Sequence, residues 1–300
     1  MYDSSDPRSR MASGAAKPVS GFFTPAEYGR YYEEQPRRTD GARTWFSRGQ
    51  NFLVAYSQAD AGAVFERQGQ VDEYVLLLPD RDHGAVIDAP EGRTEVDGFS
   101  LVILPPGNTR ITLPTGGRAA RIFSTRSPDL VAMCSNATSF SDEHPRIPPF
   151  RPWPAPPDGY KVRAYSLDIP KEEGRFGRIF RCTTLMVNYL DPQYGPRDIA
   201  KLSPHHHDDF EQGSLALDGA FTHHIRWPWT TDLNAWREDE HAYCKAPSLT
   251  VIPPPSIHTS RGMDEGLNQL VDIFSPPRFD FSKQPGWVLN ADEYPMPPEQ

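Results

Sequence analysis

Ser203-Pro204-His205-His206-His207-Asp208-Asp209-Phe210-Glu211 is the stretch that decides the reading of this 300-residue chain. Side chains alternate faces along an extended strand, so His205 and His207 share a side. Glu211 is in phase with them if the strand runs straight through. His206 takes the other face, and a one-residue slip would bring it in as the rival ligand. His258 follows Leu249-Thr250-Val251-Ile252 and the turn Pro253-Pro254-Pro255. Three imidazoles and a carboxylate suit a divalent transition metal, with open positions for water, substrate or dioxygen.

These residues resemble the two motifs of the cupin family. The first reads His-x-His, three or four residues, then Glu, matching His205, His207 and Glu211. The second reads Pro-x-Gly-x-x-His, matching Pro253 to His258 with Pro255 at the glycine position. A weak internal repeat extends the resemblance. Ser100 to Arg110 reads like Ser248 to His258 at a constant offset of 148 residues, and Val71 to Leu78 reads like Asp209 to Ala216. The repeat is similar to a bicupin, which implies an all-β fold of two jelly-roll-like barrels covering roughly residues 45–125 and 160–278. The resemblance implies one metal, held by His205, His207, Glu211 and His258. The first copy has Arg110 in the place of His258 and Glu66, Arg67 and Gln68 upstream of Asp72-Glu73. Arginine cannot serve as a ligand, so the N-terminal barrel is expected to be structural, an interface or a lid.

Composition agrees with an all-β chain. There are 32 prolines and 22 glycines, short apolar runs divided by turns, and no long 3.6-residue periodicity. Candidate strands are 51–56, 73–78, 100–104, 120–124, 181–188, 221–227, 249–252 and 269–274. The division expected is a loose N-terminus over 1–20, a metal-free barrel over 21–135, a Pro-rich linker over 136–160 and a metal barrel with tail over 161–300. Residues 145–157 carry so many prolines that they cannot lie inside a sheet. They are expected to form an extended strap, with Phe150 and Trp153 packing on the barrels. Thr24 and Pro25 suit the start of a short helix.

The net charge of −9 argues against nucleic acid, whose phosphates want a basic stripe. No apolar run is long enough to span a membrane. Cys134, Cys182 and Cys244 are sparse and odd in number, which suits reduced thiols in a cytoplasmic protein. Uncovered sheet edges favour a homodimer, with Phe22, Phe23, Phe150 and Trp153 as candidates to bury them.

The strand Phe221-Thr222-His223-His224-Ile225-Arg226-Trp227 offers two alternations. One carries Phe221, His223, Ile225 and Trp227; the other carries Thr222, His224 and Arg226. Placing the second set inward makes His224 a general acid/base and Arg226 a carboxylate clamp. Placing the first set inward makes His223 the acid/base in an aromatic pocket. Asp208 or Asp209 could orient a ligating imidazole. The family resemblance favours an Fe(II) dioxygenase acting on a small organic acid, aromatic or diketone-like. The alternatives are a non-redox isomerase, decarboxylase or lyase using Mn, Ni, Co or Zn, and a non-catalytic ligand-binding bicupin.

Overall fold

The computed structural model describes residues 23–298; the expectations for residues 1–20 and for Phe22 lie outside them. Two large sheets face each other, and each is backed by a smaller one. The N-terminal large sheet runs in the order Arg163–Ser166, Ser100–Leu104, Tyr74–Leu78, Gly117–Ser124, Phe52–Ala59, Ala42–Arg48 and Arg37–Thr39. Its small sheet is Ala63–Gln70, Gly107–Leu113, Ala85–Ala89 and Gly92–Val96. The C-terminal large sheet runs Glu27–Gly29, Ser248–Ile252, Gln212–Asp218, Leu267–Phe274, Met186–Tyr189 and Arg178–Arg181. Glu240–Lys245, Ala220–Arg226 and Ile257–Gly262 close that barrel.

The two halves exchange edges. Glu27–Gly29, near the start of the chain, pairs with Ser248–Ile252 of the C-terminal sheet. Arg163–Ser166, just past the Pro-rich segment, pairs with Ser100–Leu104 of the N-terminal sheet. The expected boundaries at 135 and 161 therefore do not partition the strands. Covering each outer strand with a segment from the other half removes an exposed edge. Around Thr24 the chain runs without helix into this edge strand, which begins at Glu27, rather than forming the expected short helix. Residues 181–188, expected as one strand, are two strands with a turn over 182–185.

Alternation explains both faces of the large sheets. Phe52, Val54 and Tyr56 of one, and Leu215, Val251, Val271 and Ile273 of the other, pack into one shared core between the barrels. Gly213 makes this approach possible: a Cβ there would stand 2.7 Å from the Phe52 ring. Each fully buried aliphatic side chain in this layer contributes about 1.5–3 kcal/mol. In the Pro-rich segment, Trp153 is buried. Its backbone N–H donates to Thr183 O at 2.7 Å, and its ring lies 4.8 Å from that of Phe279.

Strand pairing relates the barrels residue by residue. One row crosses the N-terminal sheet as Phe46, Ala55, Arg121, Leu76, Val102 and Ala164. The matching row in the C-terminal sheet is Ile179, Asn188, Asp272, Ser214, Thr250 and Tyr28. The first barrel is filled: Phe65, Leu76, Leu78, Val102, Ile111 and Leu113 interlock inside it. In the second, the matching inward positions hold His223, Ser214, Ala216, Thr250, Ser260 and Gly262. Serine, alanine, threonine and glycine are smaller than the leucine, valine and isoleucine they match, and serine and threonine present hydroxyl groups inward.

Candidate functional site

His205 and His258 meet across a single antiparallel bridge between the loop before Gln212–Asp218 and the strand Ile257–Gly262. His205 N–H donates to His258 O at 3.1 Å, and His258 N–H donates to His205 O at 2.8 Å. The two sequence motifs are thus joined through backbone. The His205 and His258 ring centroids are 4.3 Å apart, those of His207 and His258 4.8 Å, and those of His205 and His207 6.3 Å. His205 is half-buried, whereas His207 and His258 are buried.

Each of these rings is held by its Nδ1. His205 Nδ1 lies 2.9 Å from Ser203 O, His207 Nδ1 2.8 Å from Phe210 O and His258 Nδ1 3.2 Å from Ser256 O. A carbonyl only accepts, so all three carry the proton on Nδ1 and keep the Nε2 lone pair for a ligand. Backbone carbonyls do the orienting work expected of Asp208 or Asp209. His207 Nε2 is buried without a hydrogen-bond partner. Burial, with His258 and Arg278 nearby, holds its pKa well below the ordinary value, so the ring is neutral. His206 is exposed and faces away, with Asp208 3.8 Å off.

Glu211 is not brought to this cluster. Its Oε2 accepts from Gln50 N–H and its Oε1 from Asn51 N–H, both at 2.8 Å, across the barrel interface. Gly49 leaves the room, since a Cβ there would stand 2.7 Å from the carboxylate. The physical reason is register. The chain bends at 208–209, and the strand begins only at Gln212. Odd-numbered residues from Glu211 onward then face the shared core, and even-numbered ones face the barrel interior. Burial pushes the Glu211 carboxyl up to about 7 against the pull of the two N–H donors and Arg48.

Gln212 takes the inward position instead and lies against His207. Its Nε2 donates to Asp272 Oδ1 at 3.0 Å and Ser214 Oγ at 3.1 Å. The signal was present in the motif spacing, which allows four residues before the last ligand. Glutamine at that place, next to a glutamate, hid it.

The fold does not bring His224 and Arg226 to this cluster either. His224 and Arg226 face outward from the small sheet. His224 Nδ1 meets His241 Nδ1 at 2.8 Å, and Arg226 pairs with Asp239 at the surface. The inward set is Phe221, His223, Ile225 and Trp227, all buried. It is buried because this face closes the barrel and aromatic and aliphatic side chains gain most from closure. His223 Nδ1 lies 2.8 Å from Ser260 Oγ, and its Nε2 is buried without a partner. Burial lowers its pKa to about 3, so the ring is neutral.

Below the histidines lies a polar belt of Asp272, Ser214, Asn188, Thr250, His223 and Ser260. Both amide atoms of the fully buried Asn188 lack a hydrogen-bond partner. Buried polar atoms without partners cost about 1–3 kcal/mol each unless water or a ligand satisfies them. Phe221, Ala216 and Leu270 close the far end.

The imidazole donors match a divalent transition ion in type and tautomer. As the side chains stand they are gathered rather than closed: no three His, Cys, Asp or Glu among the described residues already form a metal-holding group. The N-terminal barrel offers no such set. Its inward counterpart of His258 is Thr109 rather than Arg110, because the register shifts between Gly107 and Thr109. Thr109 Oγ1 is bonded to Tyr74 Oη at 2.7 Å, and Arg110 faces out toward Glu66.

No family model and no curated protein sequence matches the chain. Solved structures do. Oxalate decarboxylase from Lactobacillus farciminis, in its formate complex, is 12% identical with a TM-score of 0.56, covering 88% of each chain. Bacillus subtilis oxalate decarboxylase, studied for its Mn(II) centres, is 12% identical with a TM-score of 0.55, covering 89% of this chain and 83% of that one. A glyoxylate-induced protein from Pseudomonas aeruginosa is 12% identical with a TM-score of 0.52, covering 88% and 94%. Among the described residues no helix is long and apolar enough to cross a membrane. Sheet order, exchanged edges and these likenesses agree that this chain has the two-barrel, all-β fold of those structures.

Proposed function

We propose that the C-terminal barrel is the active site of a metal-dependent enzyme that acts on a small organic acid by non-redox chemistry, a decarboxylation or isomerisation. One observation carries the reading. Three clustered imidazoles donate Nδ1–H to backbone carbonyls and so reserve Nε2 for a ligand. His205, His207 and His258 would hold the ion, with the Gln212 amide beside them. A bound divalent ion supplies Lewis acidity toward a carboxylate or enolate oxygen.

The remaining steps belong to the protein. The interior excludes bulk water, which strengthens every polar contact made there. His223, anchored at Nδ1 and neutral, presents Nε2 as a hydrogen-bond partner for a substrate. The likeness to oxalate decarboxylase supports the non-redox class over the Fe(II) dioxygenase implied by the motif resemblance. The likeness to an oxalate decarboxylase with Mn(II) centres points the same way for the metal.

The test is reconstitution of apo-protein with Fe(II), Mn(II), Ni(II) and Zn(II) in parallel, with and without oxygen, against a panel of small acids. Turnover without oxygen on a redox-inert ion supports the proposal. Turnover with iron alone, and only with oxygen, would move the assignment to a dioxygenase.

A further inference from the structure

We propose that His144 latches the Pro-rich strap onto the junction of the two barrels, and that acid opens the latch. The buried ring of His144 lies outside the histidine site and has no part in the reaction proposed above.

The strap is tied down at both places where the barrels meet. His144 N–H donates to Gln50 Oε1 at 2.6 Å, and Asn51 Nδ2 donates to Pro148 O at 3.0 Å. Gln50 and Asn51 are the residues whose backbone N–H groups Glu211 accepts from the other barrel. Farther along, Trp153 N–H donates to Thr183 O, and Thr183 in turn donates to Glu73. Opening the strap would therefore uncover both turns at which a carboxylate crosses the interface.

The His144 ring holds the strap in its bound shape. Arg146 N–H donates to His144 Nδ1 at 3.1 Å, and Ile147 N–H donates to His144 O at 3.0 Å. Nδ1 is thus an acceptor, and the proton of the neutral ring sits on Nε2. That Nε2 is buried without a hydrogen-bond partner. A second proton on Nδ1 would meet the Arg146 N–H head on and leave a buried cation. Burial lowers the His144 pKa, and the charge of Arg146 lowers it further. A released ring takes its proton near the ordinary value of about 6.5, whereas the latched ring resists it. Latching is at full strength above that value and weakens by up to about tenfold per pH unit below it, until the lowered value is reached. Glu211, on the far side of Gln50, has its carboxyl pushed up to about 7. A raised carboxyl strengthens the closed state as pH falls, so its sign is opposite and it cannot drive release.

Amide exchange in the full chain provides the test. Protection factors at Arg146 and Ile147, corrected for the intrinsic pH dependence of exchange, are measured at pH 7 and pH 5. They should fall by at least about tenfold at pH 5, while amides of the central strand Phe52–Ala59 hold theirs. His144→Asn keeps a side-chain acceptor for the N–H two residues on and cannot titrate, so its strap should be equally protected at both values. His144→Ala should leave the strap unprotected already at pH 7. Native protection that is the same at pH 7 and pH 5 would overturn the proposal. So would a fall as steep in His144→Asn, which would place the titrating group elsewhere, or full protection in His144→Ala.

Discussion

Glu211 and Glu73 make the same contact in opposite directions. Glu211 leaves the C-terminal barrel to accept N–H groups of Gln50 and Asn51. Glu73 leaves the N-terminal barrel to accept Thr183 N–H at 3.0 Å and Thr183 Oγ1–H at 2.8 Å, with Tyr294 Oη donating to its other oxygen at 2.8 Å. Each carboxylate caps the turn of the opposite barrel. The pair fastens the two halves at equivalent points and leaves the histidine site to Gln212.

Glu211→Ala should therefore act on stability. Removing the acceptor strands two buried N–H groups and costs about 2–4 kcal/mol in denaturant unfolding. Metal content of the folded fraction should be unchanged. An intact unfolding midpoint with lost metal would return Glu211 to the ligand set.

His207→Ala and His258→Ala should lose metal while the protein stays folded, since each leaves a modest gap beside polar space. His206→Ala should keep full metal content. Elemental analysis of the three purified proteins, with circular dichroism as the fold control, gives the answer.

Substitutions on the outer face should be mild. His224→Ala and Arg226→Ala should leave kcat/KM within about twofold, because neither side chain reaches the interior. The exposed Arg226–Asp239 pair is worth about 0–1 kcal/mol. A hundredfold loss in either variant would show that the outer face takes part in the reaction.

Ser214→Leu makes the interior resemble the filled barrel, where Leu76 holds the matching place. Metal uptake should persist while binding of any small acid is lost, by calorimetry. Unchanged binding would mean that the substrate does not enter the belt.

Acid sensitivity should track Arg118. It donates to Asp80 Oδ1 at 2.6 and 2.8 Å in its own barrel, and to Leu217 O and Asp218 Oδ1 at 2.9 Å in the other. Burial raises the Asp80 pKa, but the bonds from Arg118 outweigh it, and the net shift is downward. A depressed carboxyl stabilises the fold above its ordinary value near 4 and loses that contribution as pH falls through the lowered value. Arg118→Met should lower stability near neutral pH and flatten its fall below about pH 4. An unaltered acid unfolding profile would count against the bridge.

The sequence by itself determined the two barrels, through alternating apolar runs, turn residues and the repeat. It also brought out His205, His207 and His258, because spacing within a motif is local and survives folding. Tertiary structure decided what depends on phase. A bend at 208–209 set whether Glu211 or Gln212 looks inward. Barrel closure set whether His223 or His224 does, since both alternations of that strand are equally regular in sequence. The belt of Asp272 and Asn188 was invisible for another reason. These residues lie far from the motifs along the chain and become neighbours only where Met186–Tyr189 and Leu267–Phe274 pair. Local spacing fixes which residues alternate together. Only long-range pairing fixes which alternation turns inward.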